Sequence, residues 1–315
     1  MRPLIRLKYT KPSLTCEQQA DQLIARGLIA DRAQLIEQLC SVSYYRPSGY
    51  WLPFKQADES FLPRTTFEEV WRRYVFDRRL RLLVMDPIER VEVALRSRIV
   101  QQMTQAGGPF AYVDPANFAP SVFKAPHSGT QRTIHEQLLA QVEEASKRSS
   151  EVFVIHYRTK YSSMKHLPFW MAAEVVTFGC VLTCYKHLKP PMQKQIARGF
   201  RVPAPVFQSW LQTITYVRNA CAHHSRFWDR ELSVKPCIPN PHTIPAWHTP
   251  ITIPNNRPFA VLSVLRYLLQ QIAPQSKWDV RLLELLLEFE DLPLSEAGFF
   301  DDWEHSGIWS GVSIP

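Results

Sequence analysis

Between Leu80 and Ile99 the apolar residues Leu80, Val84, Ile88, Val91, Leu95 and Ile99 return at steps of three and four. An α-helix brings side chains back to one face at that interval, so the stripe predicts a long helix with one buried side over residues 67–103. Pro87 interrupts it and marks the place where a kink is expected. Glu92 and Arg96, four apart, read as a pair supporting an exposed face.

The rest of the chain reads in the same language. Thr15 with Gln18 three residues on matches a capping box, Gly27 ends that helix, and Asp31 caps a second one reaching about Cys40. Residues 43–51, aromatic and broken by Pro47 and Gly49, read as a turn packed on the body. Residues 107–129 lack a clear period and read as a long loop or insertion. Further helices are expected over 131–146, 169–187, 193–200, 203–222, 259–272 and 280–289. Residues 237–258 are too rich in proline for regular helix. With no convincing strand pair, the fold class is all-α. The organisation expected is a helical and aromatic-turn extension over 1–65 and a helical body over 66–290. That body carries an insertion at about 104–150 and the Pro-rich loop, and an acidic tail follows over 291–315.

Charge and cysteine content bound the function. From Glu288 onward there are seven acidic residues and no Lys or Arg, which leaves 37 basic and 22 acidic residues, net +15, in 1–287. Such a body attracts polyanions, nucleic acid first, although simple solubility explains the charge equally well. No apolar run spans a membrane, and the first nine residues carry Arg2, Arg6 and Lys8 without an apolar core for a signal peptide, so a cytoplasmic protein is expected. The six cysteines are scattered; Cys180 and Cys184 read as core packing, and neither a zinc site nor a disulfide framework is expected.

The stretch most informative about chemistry is residues 206–230, VFQSWLQTITYVRNACAHHSRFWDR. Phe207, Trp210, Leu211, Ile214, Val217 and Cys221 form a helical stripe, and Arg218 projects near it. A charge there needs a partner, an anion or a subunit boundary. His223 follows five residues later, about 140° around an ideal helix, with Asn219 one turn before it. A guanidinium grips phosphate oxygens in a fork and an imidazole moves protons near neutral pH. RNA brings its own nucleophile, the 2′-hydroxyl, so Arg218, Asn219 and His223 suffice for cleavage without a metal or cofactor. The spacing alone is weak. Among ten histidines about one such match arises by chance, and a helix C-terminus favours histidine through its dipole.

Other residues carry paired readings. Glu174 is placed to pair with Arg218 and order it, or to be a buried structural acid. Arg226, Trp228 and Arg230 suit phosphate contact and base stacking, while Phe227 and Trp228 equally suit closing the core. Tyr44, Tyr45, Tyr50 and Trp51 favour packing over stacking. Glu89, Arg90, Glu92 and Arg96 read as a solvated or intersubunit face. Arg72, Arg73, Arg78, Arg79 and Arg81 are usual surface residues, and also the best sequence candidates for a track that holds a guide or antitoxin RNA. A metal at His223 and His224 lacks further ligands, since Cys221 alone does not complete a site.

The segment RNACAHHSRFWDR resembles the signature of Abi-like abortive-infection proteins, the group that includes AbiD and AbiF, departing mildly at Phe227 and Asp229. KPSLTCEQQADQLIARGL, YYRPSGYWLPF, YVFDRRLRLLVMDPIERVEVALRSRI and LPFWMAAEVVTFGCVLTCY resemble other parts of that family in order, over residues 10–290. The resemblance implies a HEPN-type helical bundle and a metal-independent endoribonuclease toxin. It implies Arg218 and His223 as the catalytic pair, with His224 as the alternative to His223 and Asn219 as the polar neighbour. With one such motif per chain, it further implies a homodimer with a composite site, RNA as substrate, and in some members a small noncoding RNA that restrains the toxin. A non-catalytic RNA-binding scaffold of the same shape is the rival reading.

Overall fold

The computed structural model describes residues 12–124 and 131–311. The readings of the first nine residues, of 125–129 in the loop and of 312–315 in the tail lie outside the described residues. The chain divides into two compact units, one ending at Arg79 and one beginning at Leu80.

In the first unit Thr15 and Gln18 form the expected capping box on α1 (Cys16–Ala25), and Asp31 caps α2 (Arg32–Val42). Cys16 and Cys40 are disulfide-bonded with their Cα atoms 5.8 Å apart. This corrects the expectation of no disulfide: the two caps fix the antiparallel helices so that residues 24 positions apart meet. The aromatic segment is a helix rather than a turn, α3 (Tyr45–Trp51). Pro47 falls in its first turn, where a missing N–H leaves no helical bond unmade. Packing decides its aromatics: Tyr50 and Trp51 are buried, Tyr50 donates its hydroxyl proton to the buried Asp77 carboxylate, and Tyr45 stays exposed.

α4 (Phe67–Gly107) is helical throughout, Pro87 included. Every member of its apolar stripe from Leu80 to Ile99 is buried. In the second unit, the segment expected to be a loop forms two one-turn helices, Ala111–Val113 and Pro115–Asn117, and then β1 (Val122–Lys124). β1 pairs antiparallel with β2 (Gln131–Thr133), Val122 opposite Thr133. This ribbon is a local correction to the strand-free reading; the chain is all-α. Tyr112 is buried and donates to the Leu167 carbonyl at 2.9 Å, which ties the segment down.

Thr133 and Glu136 cap α5 (Ile134–Arg148). α6 (Val152–Lys160) escaped the sequence reading because Val152 and Ile155 are exposed and blur its period. The helix expected over 169–187 is two, α7 (Phe169–Val175) and α8 (Phe178–His187). The Thr177 hydroxyl accepts from the Cys180 N–H and starts a new helix, while Val176 turns extended. The Val176 carbonyl accepts from Arg96 at 3.1 Å, and Arg96 also holds Glu92 at 2.6 Å. Arg96 is only 9% exposed, so the Glu92–Arg96 pair is a buried strut between α4 and the helix break and not part of a solvated face.

α9 (Pro190–Arg198), α10 (Ala204–Ala222), α11 (Pro258–Ile272) and α12 (Trp278–Glu288) follow. The Pro-rich stretch between α10 and α11 is irregular apart from one turn at Pro245–His248. Buried indoles pin it and its surroundings. Trp210 donates to the Cys237 carbonyl, Trp247 to Ile253 and Trp278 to Leu83. The acidic segment packs instead of trailing. Trp303, Ile308 and Trp309 are buried, and Trp309 stacks on Phe259 and donates to Ser263 Oγ at 2.9 Å. Asp301, Asp302 and Glu304 stay exposed. Among the described residues no helix is long and apolar enough to cross a membrane.

Arg96→Met leaves a carboxylate and a carbonyl without their donor. It is expected to lower stability by about 3 kcal/mol, read from urea denaturation; an unshifted midpoint would contradict the strut. Burial, then Lys186, holds His187 below its usual 6.5. A depressed histidine contributes stability that is present above 6.5 and lost as pH falls through its folded value. Thermal melts of His187→Gln are expected to fall less steeply with acidification than those of the parent.

Candidate active site

The last turn of α10 carries Arg218 and Asn219, and the chain then leaves the helix in a defined way. His223 is the C-cap at φ −87° and ψ 12°. His224 turns left-handed at φ 56°. Its N–H donates to the Cys221 carbonyl and the Ser225 N–H to Ala220, both at 2.9 Å. This is the Schellman closure, which satisfies carbonyls that a helix end otherwise leaves unpaired. Glycine usually occupies the left-handed position because a Cβ there costs about 1–2 kcal/mol. A histidine in that place is therefore strained.

The residues after the closure anchor it. Phe227 and Trp228 are buried, at 0% and 1% exposure. Their core-closing reading holds, and Trp228 is corrected as a base-stacking residue, since its ring does not reach solvent. Arg226 pairs with Asp229 at 3.1 Å, and Arg257 donates to the Asp229 carbonyl at 2.7 Å. Arg230 donates to the Tyr216 hydroxyl at 3.0 Å. Burial alone would raise the Tyr216 pKa, but the bonds from Arg230 and Ser233 outweigh it and lower the value. Arg226 and Arg230 are thus half-buried structural ties.

Arg218 differs from them. It is half-buried, and its one hydrogen bond among the described residues is a long 3.4 Å contact to Asn219 Oδ1. No carboxylate pairs with it among the described residues. Glu174, expected as its partner or as a buried acid, is exposed on α7 and does neither. Asn219 and His223 are exposed, and the His223 N–H donates to the Asn219 carbonyl at 3.0 Å. The helix end therefore presents a guanidinium with donors to spare, an amide that touches it, and an imidazole one turn on. That set can bind an anion and move a proton beside it.

In the first unit Arg78 is exposed, Arg79 half-buried, and Arg73 lies over the Phe54 ring at 4.6 Å. In the second unit Arg81 is buried and not a surface residue. Among the described residues no three His, Cys, Asp or Glu side chains converge as for a metal ion. Sequence reasoning missed the left-handed strain at His224; the absence of glycine after a helix end was the available signal.

The model of one family, Abi-like protein, matches residues 37–229, well over half of the chain. The chain belongs to the Abi-like protein family. The match covers α10 and ends at Asp229, so Arg218, Asn219, His223 and the anchored helix end all lie within what this Abi-like chain shares with its family. No curated protein matches the chain, and no solved structure does.

The strain at His224 makes a sharp prediction. His224→Gly is expected to exceed His224→Val in stability by about 1–2 kcal/mol, measured by urea denaturation. Equal midpoints would remove the left-handed closure from the account.

Proposed function

We propose that the chain is a HEPN-type endoribonuclease that acts in abortive-infection defence and cuts RNA without a metal. One observation carries the reading: Arg218 holds its charge half-buried with no carboxylate paired to it among the described residues, beside exposed Asn219 and His223. Membership in the Abi-like family supports the defence role.

In the proposed reaction the 2′-hydroxyl oxygen of one nucleotide attacks the adjacent phosphorus. The bond to the 5′ oxygen of the next nucleotide breaks, giving a 2′,3′-cyclic phosphate and a 5′-hydroxyl. Arg218 binds the nonbridging oxygens as charge builds on them. Asn219 orients that guanidinium. An imidazole accepts the 2′ proton, and a protonated imidazole returns one to the departing oxygen. One chain supplies one His223, so two copies about a twofold axis supply both roles and form a composite site.

Purified protein is expected to cut end-labelled single-stranded RNA in EDTA and leave cyclic phosphate ends. The Arg218→Ala, His223→Ala double variant is expected to lose at least about a hundredfold in rate, the size typical of lost acid–base catalysis. RNA that both proteins bind and neither cuts would favour the non-catalytic scaffold instead.

A further inference from the structure

A polar cleft lies among α5, α6 and the turn after them. Lys147, Arg158, Lys165 and His166 line it, with Tyr157 and Ser146 beneath. Its volume of about 70 Å³ exceeds what one water fills and suits a small polar group.

The charge in the cleft is lopsided. Glu143 is its one lining carboxylate, and it is taken up by Lys147 at 2.7 Å. Arg158 and Lys165 make no ion pair among the described residues and both are exposed, although Lys165 lies near enough to Glu143 to lower its pKa. The turn that carries Lys165 and His166 is held in place from below. Tyr157 donates its hydroxyl proton to the His166 carbonyl at 3.3 Å, and Tyr112 donates to Leu167 at 2.9 Å. Burial first, and then the neighbouring Lys165 charge, holds His166 below its usual pKa, against the pull of Glu143. One helical turn beyond Tyr157 stands Tyr161, 46% exposed, its ring 5.0 Å from that of Tyr157.

Cations gathered around a cleft, with an exposed ring packed against one that lines it, match the way proteins hold single-stranded nucleic acid. The charges meet phosphates and the ring takes a base face. We propose that this cleft binds a phosphate of a single-stranded RNA, with Tyr161 stacking on a neighbouring base. The site is separate from Arg218 and His223 and takes its ligand class from the ribonuclease reading. In that role it would feed or hold the strand whose cleavage occurs at α10.

The test uses the full chain carrying Arg218→Ala and His223→Ala, so that a fluorescein-labelled RNA stays intact. Fluorescence anisotropy over a series of KCl concentrations gives the slope of log affinity against log salt. Lys147→Gln, Arg158→Gln and Lys165→Gln together are expected to flatten that slope by about 0.7, the value for one phosphate on a single strand. In the chain with the cleft intact, NMR titration of the His166 imidazole is expected to show its pKa raised by RNA, because a bound phosphate offsets the Lys165 charge. RNA that binds with an unchanged slope and an unmoved His166 overturns the cleft, as does failure of RNA to bind. Inorganic phosphate that moves His166 where RNA does not makes this a small-anion site and likewise overturns the proposal. Wild-type cleavage is assayed alongside. No cleavage with the expected slope and His166 shift removes the ribonuclease reading and leaves the cleft standing.

Discussion

The hydrogen bond from the Ser225 N–H to the Ala220 carbonyl fixes where α10 stops. It sets Arg218 in the final turn, makes His223 the cap and forces His224 through the left-handed region. Buried Phe227 and Trp228 then lock the exit, and Arg257 ties the Asp229 carbonyl to the start of α11. Short polar and charged groups at a helix end normally sample many positions. Here two backbone hydrogen bonds and two buried rings hold the backbone beneath the guanidinium and the imidazole. Preorganisation of that kind is what a site needs if its charges are to serve a transition state and not rearrange during it.

The same economy of polar contacts runs through the second unit. Arg96 satisfies the carbonyl that the α7–α8 break exposes and keeps Glu92 as its own counter-charge. Indole N–H groups take up carbonyls in the Pro-rich stretch, where proline removes the donors that would otherwise pair them. Arg226 and Arg230 are likewise committed to neighbours. Arg218 stands out against this background because, among the described residues, its charge is not committed to a carboxylate.

Periodicity made the long helices legible: the stripe from Leu80 to Ile99 and that of α10 both report a buried face directly. Caps were legible where a single side chain decides, as at Thr15 and Asp31. What escaped depended on partners distant in the chain. The run from Phe169 to His187 is apolar throughout, and its break at Val176 is stable because Arg96, 80 positions away, receives the freed carbonyl. The acidic segment reads as a tail in sequence because its charge is of one sign and its aromatics lie far apart from their partner in the chain. Its Trp303 and Trp309 fold it against Phe259. At the candidate site, Arg218, Asn219 and His223 were legible as residue types at a spacing. The exposure of Glu174 and the burial of Trp228 were not, since a sequence does not show which side of a helix end faces solvent.

The central claim is that this helix end works through the RNA's own 2′-hydroxyl. The most direct measurement compares cleavage of one strand with that of its fully 2′-O-methylated copy, under identical conditions with purified wild-type protein in EDTA. The account predicts cutting of the RNA and none of the methylated copy, with both strands bound. Cutting of the methylated strand would mean that the nucleophile comes from elsewhere and would contradict the roles given to Arg218 and His223.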